Sequence, residues 1–294
     1  MQSRFLLRPS RKVNDLILGV FGRAQSLYPD VRLYGFHVAA NHMHSGLAAK
    51  NVQQKSAFMN FVNGNIAREI GKLHDWREGF WGRRYTEIAI DDDQSFIRRM
   101  RYILSHGCKE FLVRRPQDWP GIHCVDALTK GEVLKGTWFN RSAFYKDEQR
   151  GKDCQLGDYS EVYEVKLTPI PCLEGLSVKE QQAFYRKMCA DIQEDTRRRC
   201  IDRGYPVLGA RAIKKENPHF RPSKTKKSPA PWCHAKNMKR VKQFKREYKN
   251  FVARYREAVS NLLLGKKDVE FPEGCFLPSL NRMPVGRVLS VAPG

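Results

Sequence analysis

Two histidines separated by one residue, His42 and His44, follow an apolar segment at residues 34–40. The region reads as two short strands that meet at residues 39–41, and alternate side chains on a strand point to the same face. Two imidazoles side by side on a rigid strand can bind a divalent metal. The pattern is short and also occurs by chance, so two histidines satisfied at a strand edge are the alternative interpretation.

A tyrosine and a third histidine, Tyr102 and His106, lie four residues apart in a predicted helix over 94–106. Residues four apart share a helix face, and Arg98 and Arg99 lie one turn earlier. This face presents a candidate nucleophile, a candidate third metal ligand and two cations for phosphate. The opposite, apolar side is expected to be buried: Phe96, Met100, Ile103 and Leu104. The acidic residues 91–93 fit a helix cap better than a metal cluster.

These motifs together resemble the HUH single-tyrosine transposases, and in particular the branch of REP-associated tyrosine transposases. The order of the motifs carries the resemblance, which covers residues 3–130: Asn-His-Met-His at 41–44, Phe-Trp-Gly-Arg-Arg at 80–84, and Tyr102-Ile103 with His106-Gly107. Residues 229–234 and 271–274 are similar to the tails of longer members. Two features depart from the family: many members have Asn-Pro in place of His106-Gly107, and the family's first strand is expected to be short or truncated, because Met1 lies so close to residues 4–7.

The resemblance implies a strand transferase that acts on single-stranded DNA near hairpins. A metal on His42, His44 and His106, either Mg²⁺ or Mn²⁺, would position the scissile phosphate. Tyr102 would attack it, forming a covalent phosphotyrosine that can be rejoined to another 3′-hydroxyl without ATP. Two alternatives remain open: a DNA-binding protein that kept the transposase fold without catalysis, and a nuclease that uses metal-activated water. Both dimeric and monomeric relatives are known, so the oligomeric state is open.

The composition favours a polyanionic partner. The chain has 294 residues, with 53 Lys and Arg against 31 Asp and Glu, and a net charge of +22. Nucleic acid is the first candidate for such a charge, and an acidic membrane surface is the rival. We expect no membrane span, because no apolar run approaches about eighteen residues, and we expect a cytoplasmic, nucleoid-associated protein. The eight cysteines are scattered without zinc-site spacing and are expected to be free thiols.

The predicted fold class is α+β, with a ferredoxin-like antiparallel sheet, packed helices and the tyrosine helix across the sheet. Apolar periodicity predicts helices over 12–28 and 53–74, and strands over 4–8, 32–38, 42–48 and 84–90. These elements and the tyrosine helix make a predicted catalytic domain at 1–130. Residues 131–294 form a predicted basic, mainly helical extension.

Residues 107–145 are predicted to be compact turns and short helices, 142–159 a linker or surface loop, and 163–167 a strand. Ser177 and Glu180 form a capping box that starts a helix reaching about Arg203. Residues 217–231 are predicted to be an extended arm, before a long helix over 237–264. The rings and aliphatic side chains of that helix are expected to face inward: Val241, Phe244, Tyr248, Phe251, Val252, Tyr255 and Val259.

Several cations and one ring are candidates for DNA contact: Arg84, Arg98, Arg99, Trp81, Lys226, Lys227, Lys239 and Arg240. Cations neutralise phosphates, and rings stack on unpaired bases. For Trp81 and its neighbour Phe80, a plug against the core is an equally good interpretation. The basic run at 197–199 is expected to be a solvated helix end rather than a phosphate contact.

Overall fold

The computed structural model describes residues 4–223, 230–266 and 268–278, and it confirms the α+β class. The helices are α1 (Arg11–Leu27), α2 (Val52–Leu73), α3 (Asp93–Leu104), α4 (His106–Lys109), α5 (Val125–Lys130), α6 (Arg141–Glu148), α7 (Val178–Arg203), α8 (Ala210–Lys215) and α9 (Met238–Leu263). The strands are β1 (Arg32–Val38), β2 (Met43–Ala48), β3 (Ala89–Ile90), β4 (Leu134–Phe139), β5 (Ser160–Val165) and β6 (Cys233–His234).

The described strands pair two by two. β1 and β2 are antiparallel, β4 and β5 are antiparallel, and the short β3 and β6 are parallel. Two strand predictions were wrong. Residues 4–8 form a turn, closed by the Arg8 N–H donating to the Phe5 carbonyl, and only the last two residues of 84–90 are a strand. The ferredoxin-like sheet is therefore not confirmed.

Helix α1 lies on the β4–β5 hairpin through a face of two glycines, Gly19 and Gly22. A Cβ atom at Gly19 would overlap the backbone of Thr137, and one at Gly22 would lie 2.5 Å from the Cβ of Tyr163. The backbones of helix and strand are therefore close enough to exclude any side chain. β4 was missed, because turns and short helices were predicted at 107–145 and β4 carries a glycine at its centre and alternates poorly. The short helix α6 begins within that range and extends into the predicted linker at 142–159.

Helix α3 crosses the β1–β2 hairpin at a second pair of glycines. Gly35 and Gly46 are directly opposite each other in the register. A Cβ at Gly35 would lie 2.7 Å from Met100 Cε and 3.1 Å from Cys124 Sγ, and one at Gly46 would lie 3.8 Å from Ile103 Cδ1. Met100, Ile103 and Leu104 are buried, as the helical periodicity predicted, so the polar side of α3 faces away from the core.

Two compact units divide the chain, at 1–241 and 242–294, rather than at residue 130 as predicted. The reason is that β4, β5 and α7 pack on elements of the first 130 residues.

The capping box at Ser177 is confirmed, with Glu180 closing it. α9 is confirmed in extent, but its stripe is at most half-buried and Tyr248 is 48% exposed, so it is not a core face. No described helix has both the length and the apolarity to cross a membrane.

All eight cysteines are free, as their scattered spacing predicted. Burial raises the pKa of Cys108 and Cys124 to about 12, so both thiols stay protonated at neutral pH. Cys124 Sγ accepts a hydrogen bond from the Phe36 backbone N–H at 3.3 Å. These buried thiols therefore act as small packing groups rather than nucleophiles.

Replacing Gly19 with alanine is expected to lower the free energy of unfolding by about 2 kcal/mol, because the added methyl group overlaps the β4 backbone. Gly64→Ala is the matched control. Gly64 lies in the exposed middle of α2, where a Cβ meets open space, and alanine should add about 0.5–1 kcal/mol. Urea denaturation of both variants measures the two changes. Equal effects would show that α1 and β4 are not in close contact.

Candidate active site

Three histidines converge at the end of the β1–β2 hairpin. His42 immediately precedes β2, His44 lies within it, and His106 is the first residue of α4. Their ring centroids are 4.9 Å apart for His42 and His44, and 4.7 Å apart for each of these with His106. One ligand nitrogen from each ring lies within 4.8 Å of the others. The structure thus brings together the three residues that the sequence singled out as metal ligands.

His106 enters the cluster at the break between α3 and α4. Ser105 caps the C-terminal end of α3, and α4 begins with His106, whose ring lies against the rings of His42 and His44 on the hairpin. Gly107 allows the start of α4 to lie against the core, since a Cβ there would be 3.1 Å from Val113 Cγ2 and 3.2 Å from Trp119 Cε3. The His106-Gly107 pair is therefore a structural unit, with the glycine making room for the helix start that carries the histidine.

The ring nitrogens of the cluster differ in their hydrogen-bond partners. Asn41 Oδ1 lies 2.7 Å from His42 Nδ1, which fixes that ring and leaves its Nε2 for other partners. Nε2 of His44 and Nδ1 of His106 are buried and have no hydrogen-bond partner within the described parts of the chain. Buried polar atoms are nearly always satisfied, so these nitrogens fit a site that holds a cation.

Burial keeps the three imidazoles neutral at physiological pH. Desolvation, followed by the neighbouring His42, lowers the pKa of His44 to about 3. Desolvation, His42 and His44 lower the pKa of His106 to about 2, and burial also lowers the pKa of His42. A neutral imidazole offers a lone pair to a metal, whereas a protonated one does not.

Tyr102 lies beside the histidines on α3. Its ring centroid is 5.2 Å from that of His44 and 5.9 Å from that of His106, and the side chain is half-buried. Desolvation, followed by the charge of Glu110, raises its pKa, while Arg99 opposes the shift. The guanidinium of Arg99 lies 5.3 Å from the ring centroid. The hydroxyl is therefore protonated at neutral pH, and a cation lies over the ring that would become a phenolate.

The sequence analysis missed Lys109, which is the nearest cation to the tyrosine ring. Its Nζ lies 4.5 Å from the centroid of Tyr102. Lys109 is seven residues after Tyr102, two helical turns, so the same periodicity that paired Tyr102 with His106 could have identified it. Glu110 was also missed; its charge acts on both Tyr102 and His42.

A fourth histidine, His37, lies directly behind the cluster. It is 2% exposed, and its ring centroid is 5.1 Å from His106 and 5.0 Å from Trp119. Desolvation, followed by His106, lowers its pKa well below the ordinary value. His37 and His44 are directly opposite each other in the β1–β2 register. His37 therefore supports the ring of His106 from the core side.

The predicted phosphate contacts on and near α3 occupy different surroundings. Arg99 lies at Tyr102, as described above. Arg98 is exposed and donates to Ser95 Oγ at 2.9 Å. Arg84 is exposed, with its guanidinium 5.8 Å from the Tyr85 ring. Asp92 caps α3 by accepting from the Ser95 N–H at 2.7 Å, which agrees with the capping interpretation of the acidic run.

Trp81 lies on the core rather than on an open surface. Its Nε1 donates to the Asn63 carbonyl at 2.8 Å, and its ring is 4.9 Å from that of the buried Phe80. These contacts favour the core-plug interpretation over base stacking.

The remaining candidates for DNA contact lie in the second half of the chain. Arg240 pairs with Asp91 at 3.0 Å, and Lys239 is exposed. Lys226 and Lys227 lie outside the described residues.

Comparisons with family models, with curated proteins and with solved structures find no match to this chain. The arrangement of the side chains is therefore the main indication of function in this protein. That arrangement combines a three-histidine cluster, a tyrosine and cations within one small region. Each component comes from the elements that the sequence motifs indicated, apart from Lys109 and Glu110.

The metal-free protein is expected to lose stability as the pH falls below 6.5. Unfolded histidines bind protons near pH 6.5, whereas His44 and His106 in the folded protein do so only near about 3 and about 2. Because the unfolded state then binds more protons, the free energy of unfolding falls by up to about 1.4 kcal/mol per pH unit for each histidine.

Urea denaturation between about pH 8 and about pH 5 measures this slope. The profile should be flat at the upper end and fall through the acidic half. A His44→Gln, His106→Gln double variant should show a shallower fall, since glutamine does not titrate. An unchanged slope in that variant would assign the pH dependence to other groups.

Proposed function

We propose that this protein is a metal-dependent DNA strand transferase of the HUH single-tyrosine type, built on an α+β core. One observation carries the proposal: three neutral imidazoles and one tyrosine project into the same region, with ring centroids 4.7–5.9 Å apart. Tyrosines in helices usually serve packing, but Tyr102 lies opposite the buried stripe of α3 and against two histidines.

His42, His44 and His106 would hold the metal. Three protein ligands leave positions open for a phosphate oxygen and water. The unpartnered buried nitrogens of His44 and His106 fit this use. Mn²⁺ accepts imidazole more readily than Mg²⁺ does, so both ions are candidates and Mn²⁺ is the better match. When bound, the metal supplies positive charge that offsets the charge of the phosphate in the transition state.

Tyr102 is the proposed nucleophile. Its hydroxyl oxygen forms a bond to phosphorus as the bond from phosphorus to the 3′-oxygen breaks. The phenolic proton passes to water, and the departing 3′-oxygen takes up a proton from water and leaves as a hydroxyl. Arg99 and Lys109, both over the ring, favour the developing phenolate and the phosphate by their charge. The phosphotyrosine keeps the energy of the phosphodiester bond, so attack by another 3′-hydroxyl reverses the step.

The proposed substrate is single-stranded DNA, with a hairpin near the cleaved position. The net charge of +22 supports a polyanionic partner. The hairpin and a nucleoid location follow from the resemblance to REP-associated transposases. A nuclease using metal-activated water at the same histidines is the competing reaction, and it would leave no link between protein and DNA.

Tyr102→Phe is expected to abolish covalent attachment to DNA, because phenylalanine has no oxygen to attack phosphorus. Labelled single-stranded hairpin oligonucleotides are incubated with the wild-type protein and Mn²⁺, then separated on a denaturing gel. The wild type should give a band shifted by the mass of the protein, and chelator should remove it. Tyr102→Phe should bind the same oligonucleotide without the band.

Tyr145→Phe is the matched control, since Tyr145 is an exposed tyrosine on α6 whose hydroxyl accepts from Lys72. It should keep the covalent band. A band that persists in Tyr102→Phe would rule out this nucleophile. Cleaved DNA without any band, in both proteins, would indicate the water-activating nuclease. DNA binding with neither product would support a binding protein without catalysis.

His44→Ala is expected to weaken Mn²⁺ binding by at least about tenfold, because one of three ligands is lost. Isothermal titration calorimetry of the purified protein with Mn²⁺ measures the affinity. His219→Ala is the control, because His219 is exposed and lies against Trp76 and His74 rather than in the cluster. Equal affinities in the two variants would show that the metal binds elsewhere.

A further inference from the structure

A groove runs along α4 and the C-terminal end of α7, next to the proposed active site. Its first part is a cleft of about 370 Å³, and its second part is a cleft of about 440 Å³. Lys109 and Arg199 line both parts, so the two clefts are adjacent. We call this feature the α4–α7 groove.

The groove reaches the tyrosine through Lys109. The Nζ atom of Lys109 lies 4.5 Å from the centroid of the Tyr102 ring. Its backbone carbonyl accepts a hydrogen bond from Arg199 Nη2 at 3.1 Å. Arg199 therefore ties the end of α7 to the residue that stands between the groove and Tyr102.

A cluster of a ring and two guanidinium groups forms the second part of the groove. The guanidinium carbons of Arg199 and Arg203 lie 4.5 Å and 4.4 Å from the centroid of Phe111. Tyr205 lies 5.9 Å from the same ring, is 49% exposed, and its hydroxyl accepts from Arg203 Nη1 at 3.0 Å. The exposed ring beside two stacked cations is a surface on which an unpaired base can stack.

The backbone holds Phe111 in an uncommon conformation. Its φ angle is +56°, in the left-handed region that non-glycine residues rarely adopt. The Phe111 N–H donates to the Cys108 carbonyl at 3.0 Å, and the Phe111 carbonyl accepts from the Leu208 N–H at 2.9 Å. Strained positions that the surrounding structure enforces are concentrated at functional sites.

The charges are distributed unevenly along the groove. At the first part, Asp195 pairs with both Arg101 and Arg198, so its carboxylate offsets part of their positive charge. At the second part, Arg199 and Arg203 stack on Phe111 instead of pairing with a carboxylate in the described ranges. The acidic residues that line the groove are Glu110, Asp195 and Asp202. Cations outnumber them, and the stacked cations are concentrated beside Phe111.

The basic run at 197–199 is therefore not uniform. Arg197 pairs with Glu194 at 2.9 Å, and Arg198 pairs with Asp195 at 2.9 Å, as expected of a solvated helix end. Arg199 points instead to Phe111 and Lys109, and Arg203 follows it four residues later on the same helix face. Part of the run belongs to the groove.

We propose that the α4–α7 groove binds the single strand adjacent to the scissile phosphate. Phosphates lie on Lys109, Arg199 and Arg203, and one unpaired base stacks on Tyr205. This inference rests on the proposed function, because it is the tyrosine chemistry that gives the strand an end at Tyr102. Nucleic acid fits better than an acidic peptide, because the groove combines cations with an exposed ring and the whole chain carries a charge of +22.

The test uses the full chain with Tyr102→Phe, so that binding is measured without covalent capture. Fluorescence anisotropy follows a fluorescein-labelled oligo-dT of about 16 nucleotides over a salt series. An Arg199→Gln, Arg203→Gln double variant should lower the slope of log affinity against log salt by about 1.4, at about 0.7 per phosphate contact. Tyr205→Ala should weaken binding by about 5- to 150-fold.

Matched variants separate the groove from general effects. Arg197→Gln removes the same charge from the same helix but outside the groove, and it should leave slope and affinity unchanged. Tyr205→Phe should retain the affinity. An Arg199→Lys, Arg203→Lys variant keeps the charges and should keep the slope. Thermal melting of each variant shows whether it is folded. If the glutamine double variant is unfolded, Arg203→Gln alone replaces it and should lower the slope by about 0.7.

The proposed binding at the groove would be overturned if Arg197→Gln and the glutamine double variant had the same salt slope and the same affinity. Equal affinities of Tyr205→Ala and Tyr205→Phe would overturn it as well. Polyglutamate that competes with the oligonucleotide at equal charge concentration, whether or not Tyr205 is present, would favour an acidic peptide and overturn it too. The covalent band of the wild-type protein tests the proposed function separately. If that band is absent but the binding results are as expected, the groove is a single-strand binding site and the proposed function is wrong.

Discussion

The mutual burial of uncharged imidazoles is the constraint on which the site depends. His37, His42 and His44 each lie within 4.7–5.1 Å of the ring of His106, centroid to centroid. A proton on one ring would be repelled by any proton on the next and would be poorly solvated. The imidazoles of the cluster are therefore neutral, and each keeps a free lone pair. A metal requires this neutral form, whereas water-exposed histidines are partly protonated near neutral pH.

That burial requires α3 and α4 to lie close over the hairpin. The opposed glycines Gly35 and Gly46 make room for Met100 and its neighbours, and Gly107 does the same for the bend at His106. The outer edge of β1 is also covered, since Trp119 Nε1 donates to the Val38 carbonyl at 3.0 Å. β1 is thus enclosed on both edges, although within the described residues its sheet consists of β1 and β2. The histidines are held by close backbone packing rather than by a large sheet.

The sequence predicted the local parts of this arrangement well. Periodicity located α1, α2, α3 and the hairpin, and four-residue spacing placed Tyr102 beside His106, because these features depend on neighbours in the chain. The sequence-based prediction was wrong where contacts between residues far apart in the chain determine the secondary structure. β4 was missed because its backbone contact with Gly19 is non-local, and the 84–90 strand was overextended because only Ala89 and Ile90 find a partner, 144 residues away at Cys233 and His234. Lys109 was within reach of the same periodicity but was not considered.

The same distant contacts make the second half of the chain part of the site's framework. The N-terminal end of α3 is held by Asp92, whose carboxylate accepts from the Lys236 N–H at 2.6 Å and from Ser95. Its C-terminal end is held by the ion pair of Arg101 with Asp195 on α7. α7 in turn packs on α5, where Arg186 donates to the Thr129 carbonyl at 2.8 Å.

The helix that carries Tyr102 is therefore fixed at both ends by residues beyond position 130. A chain ending there would leave the glycine face of α1 uncovered as well, because β4 and β5 would be missing. The motifs that suggest the chemistry are concentrated in the first 110 residues, but the framework that aims them extends to Lys236. The predicted catalytic domain and its extension are, in physical terms, one unit as far as residue 241.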